Sequence, residues 1–326
     1  MKEKIISMLN SSEGFVSGQE LCARLGVSRT AVWKVIKNLK EEGYDIEAVS
    51  NKGYCLKRVP DKITAEVCGP MLHTSWVGKT YEYYERIDST NNRAKLLGEQ
   101  PGAHGTLVTA DYQSAGKGRR GRVWQSPFGT TISMSLVVQP DISPAKASML
   151  TLTGALAIRE AIEKVTGIEA GIKWPNDIVI KGRKLCGILT EMSADTDGIR
   201  YVVIGTGVNA NIRQFPEEIS ATATSLYLEL GHDVCRGEII ARYAESFEQY
   251  YEIFMKTEDL SGLQNIYEQY LVSMGCEVCV LDPAGEYRGV CEGITTDGDL
   301  LVRMADGVQR RVLSGEVSVR GIYGYI

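Results

Sequence analysis

The segment GKGRRGR, residues 116–122, contains the residue types that most directly suggest chemistry. It holds three glycines, four cations and no acid, although the whole chain has a formal net charge of −5. Glycines let backbone N–H groups converge on an anion, and cations add charge-assisted hydrogen bonds. Because like charges repel, we expect the free segment to be mobile until it meets DNA, an anionic membrane or a nucleotide, or else to be merely solvated. The residues are Gly116, Lys117, Gly118, Arg119, Arg120, Gly121 and Arg122.

A second polar group lies in DSTNNRAKLLG, where the spacing predicts a helix that ends at Gly98. Asp88, Ser89, Thr90 and Asn91 occupy the start of that helix. Hydroxyl groups and free backbone N–H groups at such a position can hold a small polar ligand. Simple helix capping is the alternative interpretation of the same residues.

Two further polar positions adjoin apolar segments. In KWPND, Pro175 stiffens the chain, and Asn176 and Asp177 precede the apolar segment DIVI. This carboxylate and amide can hold Mg²⁺ or a ribose, or can serve only as a turn. In GRKLCGILTEM, Lys184 lies within an otherwise apolar strand and requires a carboxylate or phosphate, unless its side chain points outward.

These positions belong to a central region of predicted strands and helices. One long helix is predicted in SPAKASMLTLTGALAIREAIEKVTG, with Ser143 as its cap, Pro144 at its first position and Gly167 as its stop. The hairpin-like spacing favours an α+β layer over a Rossmann alternation, and neither a dinucleotide-binding nor a Walker A fingerprint is present. The predicted strands are GTLVTADYQ, TISMSLVVQ, DIVI, KLCGILTEM and RYVVIGTGVN.

The first sixty residues predict a separate, basic unit. They contain ten Lys or Arg and seven Asp or Glu, a net charge of +3, whereas the remainder has a net charge of −8. Ser17 with Glu20 forms a capping box, and Ser28 caps a second helix after the turn at Gly26. The strands predicted in YDIEAVSNKGYCLK turn this helix-turn-helix into a winged helix.

DNA is the favoured partner of this unit, because its second helix presents cations and no acid before Glu41. Lysines would contact phosphates, whereas Arg29 and Thr30 are the candidates for base contacts. A protein-docking role is the alternative. Such modules commonly act as dimers on paired half-sites. The candidate DNA-binding residues are Ser28, Arg29, Thr30, Lys34 and Lys37.

The C-terminal part predicts a small β-barrel, because short alternating segments are separated by DPAG, TDGD and ADG. Two helices precede it, in GEIIARYAESFEQYYEIFMK and LSGLQNIYEQYLV. Cys276 and Cys279 have CxxC spacing, but no second pair or nearby His completes a zinc site. We therefore interpret CEVCVLD as a strand.

The length and composition limit the number of domains and indicate the cellular compartment. With 326 residues and 44% hydrophobic content, two or three domains are expected. Eight irregularly spaced cysteines indicate reduced thiols. There is no run of eighteen apolar residues and no signal-peptide centre, so we expect a cytoplasmic protein without a membrane partner.

Five segments, taken in order, resemble the biotin–protein ligases: DSTNNRA, YQSAGKGRRGRVWQSPFG, KWPND, GRKLCGIL and GTGVNAN. With the winged helix, the whole chain resembles the bifunctional form that is also the biotin operon repressor. The resemblance implies an α+β multidomain protein. Its domains would be a winged helix-turn-helix at 1–60, a class II synthetase-like α/β catalytic domain with a mixed sheet at 65–273, and a small Src-homology-3-like β-barrel at 274–326 that assists ATP and acceptor binding.

The resemblance also implies a two-step reaction that uses biotin, ATP and Mg²⁺. Biotin and Mg-ATP give biotinyl-5′-adenylate and pyrophosphate, and a lysine of the biotin carboxyl carrier domain of acetyl-CoA carboxylase then takes the biotin. The carboxylate of biotin attacks phosphorus, so positioning and electrostatics must supply most of the rate. The adenylate-bound homodimer would bind operator DNA.

Residue roles follow from the same resemblance. The residues expected to contact biotin are Ser89, Thr90, Asn91, Gln113, Gly116, Lys117, Gly118, Arg119, Lys184 and Gly187. Those expected on the ATP and adenylate side are Arg119, Arg122, Trp124, Asn176, Asp177, Lys184 and Asn209. Lys184, Arg119 and Asp177 are expected to act in catalysis, with Asp177 also a ligand of Mg²⁺. Lys117 replaces the usual Arg, in a contact expected through the backbone, and residues 212–225 would form a second ligand-ordered loop.

Two alternatives remain open. A ligand-gated regulator could bind biotin without catalysis, although the intact GKGRRGR, Asp177 and Lys184 count against it. A lipoate–protein ligase relative would share the catalytic fold and use a different acid.

Overall fold

The computed structural model describes residues 1–12, 14–58, 60–282, 285–313 and 318–321. Its N-terminal unit contains three helices followed by an antiparallel hairpin, which confirms the predicted helix-turn-helix with a wing. These elements are α1 (Lys2–Asn10), α2 (Gly18–Leu25), α3 (Arg29–Glu41), β1 (Asp45–Val49) and β2 (Gly53–Arg58).

Side-chain caps fix the starts of the second and third helices. The Ser17 hydroxyl accepts the N–H of Glu20 at 3.1 Å, and the Ser28 hydroxyl accepts that of Ala31 at 3.2 Å. Gly26 ends α2 with a φ of 65°, a conformation that glycine adopts without steric cost. The predicted turn between the two helices is therefore present, with the caps at the expected residues.

A seven-stranded mixed sheet forms the centre of the molecule. The strand order is β3-β4-β5-β9-β8-β7-β6, with β3 and β4 parallel and the other neighbours antiparallel. This confirms the α+β layer. The strands are β3 (Tyr81–Tyr84), β4 (Leu107–Ala110), β5 (Thr131–Val138), β6 (Gly171–Lys173), β7 (Asp177–Ile180), β8 (Arg183–Asp195) and β9 (Gly198–Asn209).

Helices cover both faces of this sheet. Val137 and Val203 belong to a small core under α5, whereas Leu136 and Ile204 belong to the main core with the packed pair α6 and α9. Because both faces of the sheet are buried, the sequences of the central strands are nearly continuous runs of apolar residues. The helices are α4 (Ala65–Cys68), α5 (Thr90–Gly98), α6 (Met149–Thr166), α7 (Glu217–Ser220), α8 (Leu226–Leu230), α9 (Arg236–Thr257) and α10 (Gln264–Tyr270).

The predicted start of the long helix was wrong. Residues Pro144–Lys146 form a separate 3₁₀ turn, the Ser143 side chain makes no capping hydrogen bond, and α6 begins at Met149 after Ser148. The hydrogen bonds of this turn join residues three apart, which tightens the chain before the α-helix begins. The predicted stop at Gly167 is correct, with a φ of 70°.

The C-terminal strands form an antiparallel sheet in the order β13-β12-β11-β10-β14. Cys279 lies in β10 as predicted and Cys276 just precedes it, whereas Pro283 and Ala284 of DPAG and residues 314–317 and 322–326 of the predicted barrel lie outside the described residues. The strands are β10 (Glu277–Asp282), β11 (Gly285–Ile294), β12 (Leu300–Arg303), β13 (Gln309–Val312) and β14 (Ser318–Gly321).

The C-terminal sheet touches the central sheet near KWPND. The indole N–H of Trp174 donates to the carbonyl of Gly298 at 2.9 Å, in the turn between β11 and β12. Trp174 is buried, and its peptide bond to Pro175 is cis. Within the described part of the chain, no helix combines the length and the apolar character needed to cross a membrane.

Candidate active site

Two adjoining cavities lie over β8 and β9 and share Gly118, Arg119, Trp124, Asn176 and Lys184. The small cavity measures about 50 Å³ and the large cavity about 800 Å³. Of the expected biotin residues, those lining the small cavity are Ser89, Thr90, Asn91, Gln113, Lys117, Gly118, Arg119, Lys184 and Gly187. All of the expected ATP-side residues line the large cavity, namely Arg119, Arg122, Trp124, Asn176, Asp177, Lys184 and Asn209.

The start of α5 supplies a buried polar wall of the small cavity. The Gln113 Oε1 atom accepts the backbone N–H of Thr90 at 2.8 Å and its hydroxyl at 3.1 Å. Ser135 on β5 donates to Thr90 Oγ1 at 2.8 Å. Ser89, although buried, makes no side-chain capping bond. Simple capping therefore does not explain these residues, and their hydrogen bonds fix a set of polar atoms facing the cavity.

Asn91 lines the small cavity, and its amide is also hydrogen-bonded within the protein, so its expected contact to biotin stays a prediction. Its Oδ1 accepts from Ser135 at 2.6 Å, and its Nδ2 donates to Glu191 Oε2 at 2.8 Å. Glu191 also pairs with Lys95 at 2.7 Å. Burial disfavours the Glu191 carboxylate, but hydrogen bonds from Lys95 and Asn91 outweigh it and lower its pKa. Sequence reasoning missed Ser135 and Glu191, because only the folded sheet brings them to Asn91.

Gly205 completes this wall by close approach. A Cβ atom there would lie 2.0 Å from Asn91 Oδ1, so any side chain would displace the amide. Gly116 has a similar constraint, since a Cβ atom would lie 2.4 Å from the carbonyl of Trp124 and 3.2 Å from Gln113 Nε2. Gly116 thus adjoins the small cavity through Gln113.

The segment 116–122 forms a tight hairpin over the two cavities. Trp124 N–H donates to the carbonyl of Gly116 at 2.9 Å, and Gly118 N–H donates to that of Arg122 at 2.7 Å. Arg120 has the left-handed conformation, with a φ of 57°. Arg119 Nη1 donates to Asn176 Oδ1 at 2.8 Å, and burial lowers the pKa of Arg119 although Asp177 opposes that change. The hairpin is therefore joined to KWPND.

Lys117 connects the other side of the hairpin to α5. Its ammonium group donates to Asn92 Oδ1 at 2.8 Å, and Asn92 Nδ2 donates to Asp88 Oδ2 at 2.5 Å. The bond from Asn92 lowers the pKa of Asp88. The exposed Lys117 side chain is thus directed toward α5, and the expected backbone contact to biotin stays a prediction.

Lys184 stands where the two cavities meet. Its ammonium nitrogen lies 2.6 Å from Asp177 Oδ1, which supplies the anion that its apolar strand requires. The main chain of Lys184 pairs with Thr222 and Thr224, so the end of the 212–225 segment is fastened to the same strand. A Cβ atom on Gly187 would lie 3.0 Å from Lys184 Nζ. The cation therefore passes directly over a glycine of β8.

Trp124 covers the sheet between the cavities. A Cβ atom on Gly207 would lie 2.5 Å from Trp124 Cε2, and one on Gly187 would lie 3.5 Å from Cζ3. The two glycines therefore let the indole lie against β8 and β9. Its buried N–H has no hydrogen-bond partner among the described residues.

The residues around Asp177 fit a metal that arrives with a nucleotide. Within the described ranges, no three His, Cys, Asp or Glu side chains cluster as metal ligands. Mg²⁺ commonly takes one or two carboxylates and completes its shell with phosphate oxygens and water. One carboxylate beside the Asn176 amide suits that arrangement, and Asp177 as the ligand stays a prediction.

The exposed face of α3 carries the candidate DNA-binding residues. Arg29, Thr30, Lys34 and Lys37 are all exposed on it. Ser28 is also exposed, but its hydroxyl accepts the capping hydrogen bond from α3. Lys37 lies 3.8 Å from Glu41 and 5.8 Å from the ring of Trp33, an exposed residue that was not among the predicted contacts.

Three family models match the chain. Residues 83–209 match the biotin/lipoate A/B protein ligase family, residues 2–55 match an HTH domain, and residues 274–320 match a biotin protein ligase C-terminal domain. The bifunctional ligase/repressor BirA of Bacillus subtilis is 38% identical over 320 residues, 98% of both chains. That of Escherichia coli is 31% identical over 97% of this chain and 96% of its own length.

A solved structure agrees with these matches. The biotin protein ligase from Aquifex aeolicus in complex with biotin and ATP is 31% identical, with a TM-score of 0.66. The similarity covers 74% of this chain and 99% of that chain.

Proposed function

The chain belongs to the biotin/lipoate A/B protein ligase family, and we propose that it is a biotin–protein ligase that also represses transcription. The pairing of Lys184 with Asp177 at the junction of two cavities is the observation that carries the enzymatic half. The cations of α3 carry the DNA-binding half. The corepressor is biotinyl-5′-adenylate, the intermediate of the ligase reaction.

Biotin lies in the small cavity and ATP in the large cavity. The wall of Ser89, Thr90 and Gln113 presents hydroxyl and amide groups that suit the ureido ring. The small cavity measures about 50 Å³, which holds only a few water molecules. The bicyclic ring therefore enters when Trp124 and the hairpin 116–122 withdraw from Gly187 and Gly207. This supports a loop that rearranges around its ligand.

Adenylation joins the contents of the two cavities. The biotin carboxylate attacks the α-phosphorus of ATP, the bond to the β-phosphate oxygen breaks, and pyrophosphate leaves. Lys184 stabilises the negative charge that develops at phosphorus, while Arg119, held by Asn176, orients the phosphates. Asp177 holds the ammonium group of Lys184 in place. Mg²⁺ supplied with ATP neutralises phosphate charge when bound.

Transfer follows at the same position. The acceptor lysine attacks the acyl carbon of the mixed anhydride, and AMP leaves. Closure of the hairpin and of residues 212–225 excludes water, which would hydrolyse the anhydride. The acceptor is the biotin carboxyl carrier domain of acetyl-CoA carboxylase.

We assign the domains as residues 1–60 for DNA binding, 65–273 for catalysis and 274–326 for the C-terminal unit, part of which lies outside the described residues. The functional form on the operator is a homodimer of adenylate-bound chains, because two α3 helices would read paired half-sites. Eight unpaired cysteines support a reducing, cytoplasmic location.

The test uses purified protein with biotin, α-labelled ATP and a carrier domain. We expect pyrophosphate release that depends on biotin, labelled adenylate on the protein, and biotin on the carrier. Biotin binding without pyrophosphate release would instead identify a regulator without catalysis. Competition between biotin and lipoate in a binding titration separates the two acids. We expect biotin to win, since the polar wall would be left unpaired by a dithiolane ring.

A further inference from the structure

Arg236 is the most deeply buried cation in the described chain, and the mechanism above does not use it. Its side chain is 1% exposed. Nε lies 2.9 Å from Asp61 Oδ2, and Nη1 lies 2.7 Å from Asp111 Oδ1. The Tyr83 hydroxyl donates to the other oxygen of Asp111 at 2.6 Å. Asn211 also contacts Asp61. We call Arg236, Asp61, Asp111, Tyr83 and Asn211 the Arg236 cluster.

The Arg236 guanidinium is fully paired despite its burial. Burial by itself disfavours the guanidinium cation, but attraction to Asp61 and Asp111 outweighs it and raises the pKa of Arg236. Remaining N–H groups donate to the carbonyls of Asp61 and Thr131, at 2.9 and 3.0 Å. Well-packed apolar side chains often stabilise a core as well as a buried ion pair does, so such a cluster invites a role beyond stability.

The cluster joins both ends of the segment that contains the hairpin. Asp111 lies two residues before Gln113, and Thr131 begins β5 on the far side of the hairpin. The carbonyl of Asp111 accepts the N–H of Gly129 at 3.2 Å, which closes the base of this segment. Arg236 therefore contacts the segment where it leaves the sheet and where it returns.

The same cluster reaches the second ligand loop and the linker to the DNA-binding unit. Asn211, which directly precedes residues 212–225, donates to Asp61 Oδ2 at 3.0 Å and through its backbone to Thr130 at 2.7 Å. Asp61 lies three residues after Arg58, the last residue of the wing strand β2. One carboxylate thus connects the linker to the base of both loops.

We propose that Arg236 is a positioning residue whose cluster transmits the ordering of the two ligand loops to the linker of the DNA-binding unit. This inference rests on the proposed function, since it assigns the route by which biotinyl-adenylate controls DNA affinity. A rearrangement of either loop changes the geometry at Asp111, Thr131 or Asn211. Asp61 shares Arg236 with Asp111 and Thr131 and accepts directly from Asn211, so the linker responds.

The experiment alters the connection to the linker while leaving the cavities intact. Removing Arg236 would leave the buried carboxylate of Asp111 and the partly buried carboxylate of Asp61 without their cation and could unfold the chain, so Asp61→Asn and Asn211→Ala are used, alone and combined. The matched control is Glu163→Gln, because Glu163 pairs with the buried Arg159 on α6, far from the linker in the sequence and outside the cluster. For each protein, thermal stability, the KM and kcat of biotin-dependent pyrophosphate release, and operator affinity with and without biotin plus Mg-ATP are measured.

We expect Asp61→Asn and Asn211→Ala to keep kcat and KM within about threefold of wild type. Each should reduce the tightening of operator binding by biotin plus Mg-ATP at least about fivefold, and the double variant should lose little more than either single variant. Glu163→Gln should lower stability and keep the tightening. Variants that retain the wild-type tightening, or that lose it only as far as Glu163→Gln does, would overturn the inference.

Hydrogen exchange distinguishes a failure of this inference from a failure of the proposed function. In the wild type, biotin plus Mg-ATP should slow amide exchange at Asp61 and Lys62 as well as at 116–122, and Asp61→Asn should abolish only the slowing in the linker. Unchanged exchange at Asp61 and Lys62 in the wild type contradicts the inference even if the enzyme is active. A wild type that releases no pyrophosphate contradicts the proposed enzyme instead.

Discussion

At the scale of single residues, the site depends on a few polar groups held in low-dielectric surroundings. Lys184 lies 2.6 Å from Asp177, and Arg119 lies 2.8 Å from Asn176. Lys184, on strand β8, is therefore fixed before any phosphate arrives, so little reorganisation of its charge is needed during the reaction. Because glycines have no side chain, those at 187, 205 and 207 leave space for Lys184, Asn91 and Trp124.

Replacing Lys184 by Ala should lower kcat for adenylation by about 100-fold or more, because under the proposed function it removes the cation that stabilises charge at the reacting phosphorus. The measurement is biotin-dependent pyrophosphate release. Lys181→Ala is the matched control, since this exposed lysine lies in the turn just before β8 and pairs with Glu229. Equal losses in the two variants would contradict the role given to Lys184. DNA binding by the unliganded protein should not change in either.

Gly205→Ala should weaken biotin binding, because a Cβ atom there would collide with Asn91 and disturb its bonds to Ser135 and Glu191. Losing one or two such buried hydrogen bonds costs about 1–3 kcal/mol, so the dissociation constant for biotin should rise by about 5-fold to 150-fold. Isothermal titration measures it. Gly69→Ala, at a site with open space around the new methyl group, should leave it unchanged. A wild-type affinity in Gly205→Ala would show that Asn91 does not shape the cavity.

At the scale of elements, the start of α5, the hairpin and the turn before β7 meet over β8 and β9. Periodicity and caps predicted several helices of the fold, including α3 with its Ser28 cap and α6 with its stop at Gly167. The start of α6 was misplaced because Ser143 and Pro144 also suit a 3₁₀ turn. Local sequence signals do not distinguish a 3₁₀ turn from the first turn of an α-helix, because the outcome depends on where the folded chain must bend.

Lys37→Ala should lower operator affinity and reduce the slope of log affinity against log salt by about 0.9, the value for one lost phosphate contact. Adenylation should not change. A gel shift at several salt concentrations measures this, and Lys256→Ala at the exposed end of α9 is the control. An unchanged salt slope would remove Lys37 from the DNA contact.

Glu248 on α9 stabilises the fold in a pH-dependent way. Its carboxylate accepts backbone N–H groups from Ser75, Trp76 and Val77 at 2.7–3.1 Å. Burial opposes the charge, but these bonds outweigh it and lower the pKa of Glu248 below its ordinary value of 4.5. A lowered pKa means that the stabilisation is present above pH 4.5 and is lost as the pH falls below it.

Glu248→Gln should therefore reduce the free energy of unfolding by about 1.5–3 kcal/mol at pH 7, the range for hydrogen bonds to a charged group. The difference from wild type should shrink as the pH is lowered below 4.5. Urea denaturation at several pH values measures it. Glu252→Gln, at an exposed position on the same helix, is the control and should show no such trend. A difference that grows at low pH would contradict the assignment.

At the scale of the whole molecule, three units contribute to one cycle of synthesis and regulation. The order of motifs predicted the family, the mixed sheet and many of the polar residues that line the two cavities. The contacts from Glu191 to Asn91, from Trp174 to Gly298 and from Arg236 to Asp61 could not be predicted. They join residues about 100 or more positions apart in the chain, and their partners carry no local pattern that marks them.

The central claim is that one pair of cavities makes the adenylate that controls DNA binding. Its most direct test is a titration of the protein's own operator with biotin alone, with Mg-ATP alone, and with both together. We predict that only the two together tighten binding, by at least about fivefold. Equal tightening of operator binding by biotin alone would contradict the account. So would an operator affinity that is the same with and without the ligands under all three conditions.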